Sequence, residues 1–300
     1  MAIVRRTLRY LSRLYRYLKL TKERVFGFDW FRCLLCKKEM TEYYGEFGYE
    51  LISVIPYAFW LYLNNKLCIT KSVKDSKAFY YFSPRHKEVG VNRTYSSTSL
   101  SEFPITNIHV FSLDTSKWVP PPYKEIYQND QFVWSKPLCA INNKYMLEWG
   151  EAPVNFISLE ALKKTFDLLK NKYQIIYNRP IKGQIVRDHM EFLDFGDYDM
   201  IKQFYPEVIT MAQLYKNNSN LSFNTLSLMV FSNCNNFISV QGGNSVLASY
   251  FGGINIIYAK KGKELEVKSY ENWYKEFSGC EIVHVNNDAE LIAEIKKRYV

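Results

Sequence analysis

Residues 236–253, NFISVQGGNSVLASYFGG, combine the types and spacing most suited to binding chemistry. An apolar run that reads as a buried strand ends in Gln241, Gly242, Gly243, Asn244 and Ser245, and a helical pattern follows at once. Parallel sheets bind ligands beyond the carboxyl ends of their strands. Free N–H groups and partial positive charge at a helix N-terminus favour an anion such as phosphate there. The two glycines let backbone approach that anion closely, while Asn244 and Ser245 offer side-chain hydrogen bonds. The competing reading is a strand–helix connection whose glycines serve geometry alone. A second constellation runs from Gly45 through Glu46 and Gly48 to Glu50, a Gly-containing loop feeding an apolar helix over 50–63. Glu46 falls in the loop. Glu50 falls in the first helical turn, where an acid also serves to complement the helix dipole.

Other polar clusters carry weaker signals. Asp197 and Asp199 flank Tyr198 in a pattern that resembles the Asp-x-Asp of metal-dependent GT-A transferases, where the pair ends a strand and binds a divalent cation bridging the diphosphate. Here Asp197 follows Phe195-Gly196 and starts a helical pattern, where Asp is a common N-cap. The expectation is therefore a site that works without metal. Cys33 and Cys36 have ligand spacing but no second pair of Cys or His nearby, and the histidines stand singly at 86, 109, 189 and 284. Scattered cysteines with apolar neighbours read as reduced, buried thiols in a cytosolic setting. His86, preceded by Arg85, follows an apolar stretch, 78–83, that reads as a strand and carries the histidine toward an interdomain cleft. Arg85 and Arg93 are alternative anion contacts, although a lone His more often serves the core or the surface. With no Gly-x-Ser-x-Gly, Walker A or Gly-x-Gly-x-x-Gly pattern, hydrolase, kinase and ordinary dinucleotide readings have no support.

The elements that must position these groups follow from composition and period. The 300 residues are 47% hydrophobic and 17% aromatic, which excludes a disordered or low-complexity chain. No apolar run approaches the roughly 18 residues that span a bilayer. Net charge is +9, but residues 1–24 hold eight Lys and Arg against the single acid Glu23. The body is thus nearly neutral, which argues against a nucleic-acid groove. That basic head has a Leu and Tyr stripe at helical spacing. It suits the anionic cytoplasmic face of a membrane, or else packs on the body as an ordinary amphipathic helix. Strands are expected over 66–70, 78–83 and 107–111. Beyond residue 153, helices over 158–171, 197–205, 222–234, 245–251 and 288–299 alternate with strands over 173–178, 207–211, 236–240, 254–259 and 281–285. Such alternation makes a parallel sheet covered on both faces. The division expected is a basic segment over 1–40, one α/β domain over 41–152 and a second over 153–300.

With these elements in place, the chain resembles the GT-B glycosyltransferases, nearest to their fucosyltransferase-like branch. The strand, polar Gly/Asn/Ser loop and small-residue helix of 236–253 are similar to the part of that family that holds the donor's diphosphate. Residues 173–180, YQIIYNRP, look like the first strand of the same subdomain, whose end carries a phosphate-gripping Arg, here Arg179. Gly45, Glu46 and Gly48 before the apolar helix resemble the Gly-rich loop of the acceptor domain, where some members use the Glu as catalytic base. The resemblance implies two Rossmann-like α/β domains facing across a cleft and transfer from a nucleotide-sugar donor to a glycan or lipid-linked acceptor. Donor binding then falls to Arg179 and 241–245, proton removal to Glu46 (Glu50 or His86 next), and acceptor contacts to Gly45, Gly48 and Arg85. Other readings on the same frame are a pyruvyl- or phosphotransferase acting on sugars, or a binding protein without turnover.

Overall fold

The computed structural model describes residues 26–90, 92–93, 103–147, 151–180 and 193–300. The basic head over 1–24 and His189 lie outside them. Two sheets form among the described residues. The smaller has order β1-β2-β3, from Glu39–Glu42, Leu67–Ser72 and His86–Glu88, all parallel. The larger is six-stranded and wholly parallel, with order β6-β5-β4-β7-β8-β9. Its strands are β4 (Leu138–Asn142), β5 (Gln174–Asn178), β6 (Ile209–Thr210), β7 (Cys234–Val240), β8 (Ile254–Tyr258) and β9 (Glu281–Val285). The chain leaves β4 in one direction through β5 and β6, then returns to lay β7 on its other side. The carboxyl ends of β4 and β7 therefore flank the point where connections diverge, the place where such sheets leave a crevice.

Helices used below are α1 (Phe26–Leu35); α2, in which Phe47–Tyr49, the π-helical Glu50–Val54 and Ile55–Leu63 run on together; α3 (Tyr123–Tyr127); α4 (Leu159–Leu169); α5 (Asp197–Phe204); α6 (Met211–Asn217); α7 (Phe223–Ser232); α8 (Gly243–Ala248); and α9 (Asp288–Arg298). Ser158, Ser222 and Asn287 cap α4, α7 and α9 by accepting from the backbone three residues on. Alternate strand residues face opposite sides. Ile141, Ile175, Ile238 and Ile256 pack with Phe166 and Leu291, while Ala140, Ile176, Phe237 and Ile257 pack with Leu226. The second cluster continues into Leu51, Ile55 and Ala58 of α2, so one core joins the two halves. The π turn of α2 alters the local acceptor pattern, and the Leu51 and Ile52 carbonyls accept from the Tyr250 hydroxyl (2.5 Å) and Trp118 Nε1 (2.6 Å).

The structure corrects several expectations. β4 precedes the break expected near 150–153 yet pairs with both β5 and β7, so the second sheet starts upstream of it. Residues 78–83 form no strand: 77–80 is a 3₁₀ turn that buries Phe79 and Tyr80, and 107–111 is irregular. Strand 207–211 shrinks to two residues because Thr210 and Gln213 form a capping box that starts α6. The N-cap of α5 is Gly196 rather than Asp197.

Candidate active site

The crevice at the ends of β4 and β7 faces the start of α2 and closes into a cleft between the two halves. Asn142 ends β4 at it and Asn143 and Lys144 follow, while Gln241, Gly242, Gly243 and Asn244 follow β7. Glu46, Phe47 and Arg93 line it from the first half, with Lys74 and Asn224 at its side. A polar row crosses the strand ends beneath: Asn178 donates to Asn142 (3.0 Å) and Asn142 to Ser239 (3.4 Å). Gln241 donates to Glu264 (2.6 Å), and its Oε1 is buried with no hydrogen-bond partner among the described residues. The two loop glycines have different reasons. Gly242 has φ +129°, a conformation that favours glycine, and the position a Cβ would take lies 3.7 Å from Lys144 Nζ. At Gly243 a Cβ would stand 2.6 Å from the Phe47 ring, so glycine lets the starts of α8 and α2 meet.

Glu46 is the N-cap of α2. Its Oε1 accepts from the Gly48 N–H (3.0 Å) and its Oε2 from the Tyr49 N–H (3.3 Å), which holds the carboxylate at the cleft wall. Gly48 permits this fold-back, because a Cβ there would stand 2.9 Å from Oε1. The Gly45 carbonyl accepts from Arg93 Nη1 (2.9 Å), and a side chain at 45 would strike the Tyr43 hydroxyl. Both glycines are buried and shape the loop that presents Glu46. They do not line the cleft themselves, contrary to the acceptor contacts expected of them.

Other expected site residues have structural partners. Glu50 is fully buried, paired with Arg93 Nη2 (2.6 Å) and accepting from Ser72 (2.5 Å) and Tyr80 (2.7 Å). It lies in the first turn of the π-helical stretch but does not face the cleft as a base would. His86 has Nδ1 2.7 Å from the Thr70 hydroxyl, Nε2 3.0 Å from that of Ser76, and its ring stacked on Tyr80. Burial pushes its pKa down, and both nitrogens are engaged outside the cleft. Arg85 precedes β3 and therefore stands at the amino ends of the first sheet, 3.7 Å from Asp29, at the wrong end for the cleft.

Arg179 is buried and donates from Nε and Nη2 to the two oxygens of Asp197, at 2.6 Å each, with Nη1 on the Leu193 carbonyl (3.3 Å). Tyr177 also donates to Asp197 (2.5 Å). This bidentate pair ties β5 to α5 and takes Arg179 away from the donor role expected of it. It also occupies the carboxylate of the Asp-x-Asp pattern, and Asp199 is exposed while Asp197 is buried, so the two do not converge on a cation. Ser245 is buried and donates to the Gly242 carbonyl (2.8 Å), leaving the loop's cleft surface to 241–244. Cys33 is buried and Cys36 exposed, and all six thiols are unpaired. Among the described residues no three His, Cys, Asp or Glu side chains are grouped to hold a metal.

Asn142, Asn143, Lys144, Lys74 and Asn224 were not anticipated. The polar run after the apolar LCAI of β4 is the signal that locates the first three, once 138–142 is recognised as a strand. Lys74 and Asn224 carry no comparable mark.

No family model matches this sequence, and no curated protein matches it. Its structure is similar to that of ADP-heptose LPS heptosyltransferase II of E. coli, with a TM-score of 0.51 and 9% identity. The match covers 87% of this chain and 98% of that one. At that identity the likeness is one of fold, and the fold is GT-B-like.

Proposed function

We propose that this chain is a glycosyltransferase moving a sugar from a nucleotide-sugar donor to a glycan or lipid-linked acceptor in surface-glycan synthesis. The observation that carries this is the meeting, in one cleft at the switch point of the large sheet, of Glu46 with Lys144 and the 241–244 loop. A diphosphate leaving group needs positive charge and hydrogen-bond donors. Lys74, Lys144 and the loop backbone supply them here without a metal ion. The Glu46 carboxylate takes the proton of the acceptor hydroxyl as its oxygen bonds to the anomeric carbon. The bond from that carbon to phosphate oxygen breaks, and its electron pair leaves with the nucleoside diphosphate.

The cleft has a volume of about 160 Å³, below the roughly 300–1,000 Å³ of a site for a whole drug-sized ligand. It therefore suits the diphosphate end of the donor, with the nucleoside toward the rim. With Arg179 held by Asp197, the fucosyltransferase-like resemblance rests on the loop, and fold likeness to an ADP-heptose enzyme makes an ADP-sugar the first donor to try. The head over 1–24 would hold the enzyme at an anionic cytoplasmic membrane face. No helix among the described residues is long and apolar enough to cross a membrane.

The test is nucleoside diphosphate release from ADP-, UDP- and GDP-sugars with cell-envelope glycan as acceptor. Glu46→Gln should lower turnover about 10²- to 10⁴-fold while donor affinity survives, the usual loss for a missing general base. Unchanged turnover in that variant would remove Glu46 from the mechanism.

A further inference from the structure

A second groove, of about 550 Å³, opens beside the cleft, and Lys74 borders both. Its size lies within the roughly 300–1,000 Å³ typical of small-molecule sites. The partition between the two spaces is made jointly by the two halves. Asp75, held at φ +63°, accepts the Asn224 N–H on Oδ2 (3.2 Å), and its carbonyl accepts from Asn224 Nδ2 (2.6 Å). Asn224 and Ser227 of α7 face the cleft, whereas Ser222 and Thr225 face the groove. Tyr81 and Tyr127 also line the groove and meet edge to face, with ring centroids 6.1 Å apart. Both rings are half-buried. Lys74 and Lys77 balance Asp75 and Glu88, so the ionisable lining of the groove has no net charge.

We propose that this groove holds the acceptor as a neutral oligosaccharide. Tyrosine rings offer apolar faces to the C–H sides of pyranoses, and flanking hydroxyls and carboxylates meet sugar hydroxyls. A lining without net charge suits a saccharide better than a strongly anionic lipid headgroup. The sugar entering past Lys74 presents its terminal hydroxyl to the cleft that Glu46 lines. The assignment rests on the donor reading of that cleft, but it is tested separately.

The full-length protein is applied to an array of neutral and anionic glycans, and its thermal stabilisation by ADP-, UDP- and GDP-sugars is recorded alongside. Neutral glycans should be retained. Thr225→Trp, which fills the groove from α7, should reduce that signal about tenfold or more with nucleotide-sugar stabilisation unchanged. Lys77→Trp fills it from the exposed opposite edge and gives the same result if Thr225→Trp does not fold. Retention of anionic glycans alone, no retention, or neutral binding that both tryptophans leave intact would overturn the groove, whatever the nucleotide result. Glycan binding that responds to the tryptophans without any nucleotide stabilisation would keep the groove and overturn the donor cleft.

Discussion

Glu46 and Glu50 stand one helical turn apart and end in opposite environments. Glu46 caps α2 at the cleft wall, and Glu50 is sealed beneath it against Arg93. Local sequence separates the loop position from the helical one, which is why Glu46 was legible. It does not show that Ser72, Tyr80 and Arg93 converge on Glu50 from later in the chain. The same blindness affected Arg179. Its place after a buried strand was readable, but its partner arrives 18 residues later, across a connection whose path no spacing rule fixes. A test at this scale is Asp197→Asn, which leaves the guanidinium buried without its counter-charge. The expected cost is about 3–5 kcal/mol, the usual result of breaking a buried pair, read by denaturant unfolding. Nucleotide-sugar affinity, measured where the variant is still folded, should hold. Retained stability with lost affinity would return Arg179 to the donor phosphate.

Among elements, α2 and α8 must meet at their starts for the cleft to exist. Gly243→Val adds a branched side chain where Phe47 already stands, and overpacking of this kind costs about 1–3 kcal/mol. Adding Phe47→Ala should recover much of that loss in thermal unfolding. No recovery would mean that Gly243 is required by its own loop and not by the contact. α1 is anchored differently, through buried Asp29 beside Lys87 (2.5 Å) and Lys71 (3.3 Å). Burial pushes the Asp29 carboxyl up, but the two ammoniums outweigh burial and hold it below its ordinary 3.8. Its contribution to stability is then full at pH above that ordinary value and is lost as pH falls through the lower folded-state value. Amide protection over 26–35 should fall in that acid range, and Asp29→Asn should lower it already at neutral pH. Unchanged protection in the variant would show that α1 is held by other contacts. Element types were most legible where strand and helix alternate, from α4 to α9. β4 escaped because five buried residues in a row show no period of two. The aromatic run 78–82 misled because β-favouring rings here fill the core from a 3₁₀ turn and the turn after it.

At the scale of the molecule, the order β6-β5-β4-β7-β8-β9 puts the switch point opposite the only half that can supply Glu46, and a shared apolar core holds the halves in that relation. Legibility was partial here too: the 241–244 loop and Glu46 could be named from sequence, while Lys74 and Lys144, which border the same cleft, could not. The central claim is that this cleft binds a nucleotide sugar by its diphosphate. Titration calorimetry with ADP-, UDP-, GDP- and CMP-sugars on the wild type and on Lys144→Ala tests it most directly. One donor should bind, and at 100 times its dissociation constant it should stabilise the fold by about 2.7 kcal/mol. Lys144→Ala should weaken it about tenfold or more, as expected for one charge-assisted contact. Binding of none of the four, or binding that Lys144→Ala leaves unchanged, would contradict the account.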